Sequence, residues 1–159
     1  MVVLKIMSKM KKESVKKEVS ETVIVNPTHR GINRHIQLLR IIILTNEIKF
    51  DFGYKASDYY YRGGWITISP ETFIRPVGSN EKFFLINATN IPYGPEKLHF
   101  NSTLEWRYFS LHFPLLPEGT KMIDLIEKET DKTDPTQFNF YSISLSEASK
   151  QYKIAAPEF

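Results

Sequence analysis

The sequence predicts an all-β chain, an immunoglobulin-like antiparallel β-sandwich of about eight strands behind a short helical or disordered N-terminal segment. Three observations lead there. From residue 22 onward apolar and polar residues alternate with period two, turn residues interrupt them every 8 to 15 residues or so, and no helical period separates the runs. A βαβ chain would place helices between its strands. With 159 residues, 42% hydrophobic and 25% charged, the composition suits one folded domain. The expected organisation is a basic tail or short helix over 1–21, the sandwich over 22–150 and a C-terminal tail over 151–159.

Residues 2–19 set Val3, Ile6, Met7, Met10, Val15 and Val19 among lysines, an imperfect amphipathic pattern. An isolated helix of that length is marginal in water, so the segment is expected to be a solvated tail or a helix docked on the domain or on an anionic surface. Residues 22–25 form a short β-rich run that ends at Asn26-Pro27, and residues 36–45 are rich in β-branched side chains. Ile48, Phe50 and Phe52 then alternate with Glu47, Lys49 and Asp51, which puts one face in the core and the other in water. Further strands are expected at 65–69, entered through Gly63-Gly64, and at 72–77 and 82–86. The last two form a hairpin about Gly78-Ser79-Asn80. Residues 87–96, with Pro92, Gly94 and Pro95, read as a loop crossing between sheets.

Two runs change phase. Leu104, Trp106 and Tyr108 share one parity and Phe109, Leu111 and Phe113 the other; Phe138 and Phe140 likewise give way to Tyr141, Ile143 and Leu145. Either an extra residue forms a β-bulge in each strand, or both faces are covered. Between them, residues 121–129 fit helix or strand by pattern, and strand is favoured by the neighbouring elements. Residues 130–136 are polar, contain Pro135 and read as a loop.

Charge and cysteine usage narrow the chemistry. Lys plus Arg number 21 and Asp plus Glu 18. The surplus belongs to residues 1–21, where Lys5, Lys9, Lys11, Lys12, Lys16 and Lys17 face three glutamates. The other 138 residues hold 15 basic and 15 acidic side chains. The sandwich itself therefore has no electrostatic case for binding nucleic acid, and anionic surfaces concern the leader lysines. With no Cys, the chain has no disulfide, thiolate metal site or thiol nucleophile. No signal peptide and no transmembrane run is legible, so a cytoplasmic location is expected for the chain as given.

Several segments together resemble a known family. An alternating strand EIKFDF is followed by YYYRGGWITISPETFIR, a hairpin into EKFFLINATNIPYGP, then RYFSLHFPLLPEGTKMIDLIEKE and a closing FNFYSISL. The order resembles the β-sandwich domains of unknown function in Bacteroidetes, some of which precede a thioredoxin-like domain in secreted or lipid-anchored proteins. The matching positions are Trp65, Ile66 and Ile68; Pro117, Thr120, Lys121, Ile123, Asp124, Ile126 and Glu127; and residues 138–143. The resemblance implies a sandwich fold and an exported setting, and implies no activity.

Tyr59-Tyr60-Tyr61-Arg62-Gly63-Gly64-Trp65 is the most unusual local composition. Its rings and guanidinium could stack on a sugar ring, a base or a Pro-rich peptide. The competing reading buries Trp65 in the core and leaves the tyrosine hydroxyls wet. Trp106 and Tyr108 are expected to pack in the core. His29, His35, His99 and His112 have no metal-ligand spacing. Asp124 with Glu127, or Glu127 with Glu129, are the nearest carboxylate pairs for glycoside hydrolysis, but interleaved lysines favour a solvated face. No G-x-S-x-G, phosphate-binding Gly loop or H-E-x-x-H occurs. The sequons at Asn87 and Asn101 matter only in a eukaryotic secretory pathway. The expectation is a non-catalytic module without cofactor or metal, binding a protein or glycan through loops. Anionic-surface binding through the leader is the alternative, and hydrolysis a minor one.

Overall fold

The computed structural model describes residues 20–129, 136–146 and 151–155. It is all-β. In chain order the strands are β1 (Ser20–Val25), β2 (Arg30–Gly31), β3 (Ile36–Ile43), β4 (Ile48–Lys55), β5 (Trp65–Ile66), β6 (Phe73–Pro76), β7 (Phe83–Phe84), β8 (Asn87–Thr89), β9 (Leu98–His99), β10 (Trp106–Phe113), β11 (Met122–Ile126), β12 (Phe140–Ser144) and β13 (Gln151–Ala155), with a 3-10 turn at Tyr61–Gly63. The first sheet runs β13-β1-β3-β4-β10-β8, the second β2-β12-β11-β6-β7, and β5 and β9 form a separate ribbon. All strand pairs within the sheets are antiparallel.

The two larger sheets share one core. Phe52 of β4 meets Phe140 of β12 at 5.5 Å between ring centroids, and Phe109 of β10 meets Phe138 at 5.9 Å. Phe50, Phe113, Ile74, Ile123 and Leu125 fill the same interior. Each fully buried aromatic or branched side chain of this kind stabilises by roughly 1.5–3 kcal/mol. Residues 121–129 include the strand β11, and the hairpin β6–β7 forms about the Gly78 turn as expected. The chain changes sheets at two adjacent amides: Leu85 N–H donates to Thr72 O on the second sheet and Ile86 N–H to His112 O on the first, each at 2.8 Å.

Four expectations need correction. The run expected as a crossing loop from residue 87 begins with β8, which pairs with β10 along the edge of the first sheet. The expected C-terminal tail contains β13, whose pairing with β1 extends that sheet. β1 itself starts at Ser20, inside the expected leader, and the leader lysines lie outside the described residues. The phase change at Tyr108–Phe109 is not a bulge: β10 pairs with β4 in unbroken register from Trp106↔Lys55 to Phe113↔Ile48. Nor are both faces covered. Phe109, Leu111 and Phe113 point inward while Trp106 and Tyr108 stand in solvent, 43% and 62% exposed.

The second phase change is a bulge. β11–β12 pairing steps from Ile123↔Ile143 to Leu125↔Phe140, so β12 carries one extra residue. Ser142 there takes φ +54, and its N–H donates to Asp124 Oδ1 at 2.9 Å. An unanticipated shift between Leu38 and Arg40 does the same for β3. It swaps the inward parity from Ile36 and Leu38 to Ile41, keeping both halves of the strand on the core.

Candidate functional site

The tyrosine-rich segment forms the turn after β4. Tyr59 N–H donates to Ser57 Oγ at 3.2 Å, Gly63 N–H to Tyr60 O at 2.9 Å and Ser57 N–H to Gly63 O at 3.1 Å. Gly63 sits at φ +89, and a Cβ on it would lie 2.6 Å from Ala56 Cβ and 2.7 Å from Ser102 O. Only glycine closes this turn, which is why the tyrosines are followed by Gly63.

The five sequence-predicted binding residues divide. Tyr59 and Tyr61 are 87% and 90% exposed, and the Arg62 guanidinium lies over Tyr61 at 5.5 Å from its centroid. These three side chains stand away from the concavity beside them. Tyr60 and Trp65, 56% and 46% exposed, line a cavity of about 510 Å³. Trp65 is therefore not a core residue. In β5 it points out while Ile66, and Ile68 beyond it, point in.

Four connections converge on this cavity: the turn before β3, the segment after β4, β5 with Thr67, and the link from β11 to β12. Its volume is in the range of ligand pockets, roughly 300–1,000 Å³. Tyr54 at its wall stacks on Phe100 at 5.6 Å and carries the His35 imidazole on its other neighbour side at 5.9 Å. Burial, helped by nearby Tyr60, raises the Tyr54 phenol above its ordinary range. Buried amide side chains complete the wall. Asn33 Oδ1 accepts His35 N–H at 3.0 Å, and Asn139 Nδ2 donates to Gln137 Oε1 at 3.1 Å. Arg34 adds an exposed cation at the rim. Aromatic faces, fixed amides and a phenol thus border one cavity.

The carboxylates named in the sequence are engaged in hydrogen bonds and ion pairs within the fold. Glu127 borders the cavity, but its two oxygens accept Ser69 N–H at 3.1 Å and Phe138 N–H at 3.2 Å, tying the loops together. Asp124 holds the β12 bulge and faces Arg75 at 3.6 Å, and Glu129 pairs with Arg75 at 3.0 Å and Lys82 at 3.3 Å. The histidines are spread over the fold: His29 against Phe140, His35 at the cavity, His99 opposite Trp65 and His112 on the outer face of the first sheet. Among the described residues no three His, Asp or Glu side chains converge as metal ligands. No helix among them is long and apolar enough to cross a membrane.

Two features escaped the sequence reading. A second, shallower concavity of about 670 Å³ is lined by Trp106, Tyr108, Arg107, Lys97, Glu96 and the 90–92 turn. Its Lys97 reaches toward the first site, with Nζ 4.3 Å from the Trp65 ring centroid. Period-two parity did pair Trp106 with Tyr108; only the side of the sheet was wrong. The second feature is a chain of Thr89 Oγ1, His112 and Glu47, with Thr89 Oγ1 3.0 Å from His112 Nε2 and His112 Nδ1 3.1 Å from Glu47 Oε1. A hydroxyl, an imidazole and a carboxylate in that order resemble a nucleophile, base and orienting group. Neither concavity opens on Thr89, and the chain ties β8 and β10 to the start of β4 across the sheet. No family model, curated protein or solved structure matches the chain.

Proposed function

We propose that the chain is a non-catalytic, immunoglobulin-like binding module that captures a saccharide in the cavity walled by Tyr60, Trp65 and the buried amides. The observation that carries this reading is the placement of two half-exposed aromatic rings beside Asn33 and Gln137 at the loop end of the sandwich. A sugar presents C–H groups on its ring faces and hydroxyls around its edge. Aromatic faces take the former, and fixed amide and phenol groups take the latter. The likeness to Bacteroidetes sandwich domains belongs to the same proposal and is carried by the W-I-x-I strand and the T-K-x-I-D-x-I-E segment.

The test is a screen of the full chain against a panel of oligosaccharides, followed by calorimetry on the hits. Trp65→Ala and Tyr60→Ala are each expected to weaken binding about tenfold, near 1.4 kcal/mol, with the fold retained because both rings are partly exposed. Unchanged affinity in both variants, or turnover of a bound glycan, would refute the reading.

A further inference from the structure

The outer face of the first sheet offers a second place for the same class of ligand. Trp106 and Tyr108 stand two residues apart on β10, which puts their stems about 7 Å from one another on one face. Tyr108 pairs across the ladder with Gly53. A Cβ on Gly53 would meet Tyr108 Cε1 at 3.3 Å and Cδ1 at 3.6 Å, and Leu39 Cδ1 at 3.6 Å. The tyrosine ring thus lies down on the strand, in the space that a side chain at 53 would occupy, and still keeps most of its surface in water. Trp106 pairs with Lys55, and the same concavity holds Arg107, Lys97 and Glu96.

The charge around these rings is lopsided. Lys55 and Lys97 have no carboxylate partner among the described residues, while Arg107 Nε is 2.7 Å from Glu105 Oε1. Beside the two rings stand Lys97 and Glu96 in the concavity and Lys55 across the ladder from Trp106, so two cations accompany one carboxylate, while Arg107 is held by Glu105. Arg34, at the rim of the loop-end cavity, also has no ion pair among the described residues. Lys97 lines the outer concavity, and its ammonium lies over Trp65 of the loop-end cavity.

We propose that Trp106 and Tyr108 form a second saccharide subsite, which takes the continuation of a uronic-acid-containing chain whose first rings occupy the cavity of Tyr60 and Trp65. The proposal rests on the saccharide reading of that cavity. Sugar rings lie against the two aromatic faces, and their carboxylates meet Lys55 and Lys97.

The experiment measures affinity of the whole chain for a uronic acid disaccharide, the matching hexasaccharide, and a neutral hexose hexasaccharide. The acidic hexamer is expected to bind at least tenfold more tightly than its disaccharide and than the neutral hexamer. Trp106→Ala and Tyr108→Ala are expected to remove the gain with length and leave disaccharide binding intact; Lys55→Gln is expected to narrow the gap between acidic and neutral hexamers. Disaccharide binding that is lost in Trp65→Ala, together with a hexamer that gains nothing, overturns this proposal and leaves the cavity reading standing. No binding of any saccharide overturns both. Concentration-dependent dimerisation abolished by Trp106→Ala overturns it too, by giving this face to a second copy of the chain.

Discussion

Tyr108 and Gly53 are cross-strand partners in which the ring of one fills the place of the missing side chain of the other. Gly53→Ala puts a methyl group into a 3.3 Å contact with that ring, and the ring must give by a few tenths of an ångström. A strand alanine recovers up to roughly 1 kcal/mol of backbone entropy relative to glycine, so stability is expected to change little. The Tyr108 ring resonances, followed by NMR, should shift, and Gly53→Val should shift them further. Identical spectra for all three proteins would show that the ring does not rest there.

Two glycines with similar φ should respond differently to alanine. Gly63 and Gly78 sit at φ +89 and +86, but a Cβ on Gly63 meets two atoms within 2.7 Å whereas one on Gly78 meets nothing within 4 Å. Gly78→Ala is expected to cost only the left-handed backbone penalty, about 1 kcal/mol. Gly63→Ala adds overpacking of roughly 1–3 kcal/mol and displaces the turn that sets Tyr60. Urea denaturation of the two variants measures the difference, and equal losses would contradict the packing described at Ala56 and Ser102.

Stability should fall with acid in two separate windows. Burial lowers the His29 pKa, and its Nδ1 is buried without a hydrogen-bond partner against Phe140. The unfolded chain then binds a proton more readily than the fold, so stability drops as pH falls below about 6.5 and through the lowered folded value. His29→Phe is expected to flatten this limb in chemical denaturation curves.

Asp51 supplies the second window. Burial alone would raise its pKa, but hydrogen bonds from Ser110 and Arg40 and the charges of Lys49 and Arg40 outweigh it and hold the carboxyl below its ordinary range. Its contribution is present above the unfolded value near 3.9 and is lost as pH falls through the folded one. Asp51→Asn is expected to cost about 1.5–3 kcal/mol at neutral pH, and the deficit should shrink in acid. A deficit independent of pH would mean that shape rather than charge is at stake.

The alternative reading assigns anionic-surface binding to the leader. If Lys5, Lys9, Lys11, Lys12, Lys16 and Lys17 bind anionic surfaces, removing residues 1–19 should abolish binding to anionic vesicles and to DNA and flatten its salt dependence. The cut belongs before Ser20, because β1 starts there. Binding that survives the deletion would reject a role for the lysines.

Alternation and turn chemistry made the strands around Phe50, Ile74 and Ile123 legible, along with the hairpin at Gly78; the phase change in β12 left a bulge and a doubly covered strand both open, and only the pairing register decided for the bulge. Strands of two or three residues such as β2, β8 and β9 were not: they are shorter than any period that could reveal them. Aromatic rings misled the reading in one consistent way. Parity says that Trp106 and Tyr108 share a face, but a ring that is apolar enough to be buried is also suited to an exposed site, and only the position of the opposing sheet decides between the two.

The sequence by itself determined the all-β class, the alternation of β4 and the separation of a basic leader from an evenly charged remainder, because these depend on neighbours along the chain. Tertiary structure alone decided that Tyr60 and Trp65 share a cavity with Asn33 and Gln137, that Tyr59 and Tyr61 do not, and that Gly53 receives the Tyr108 ring. Those relationships join residues far apart in sequence, and they exist only once the two sheets have closed over one core.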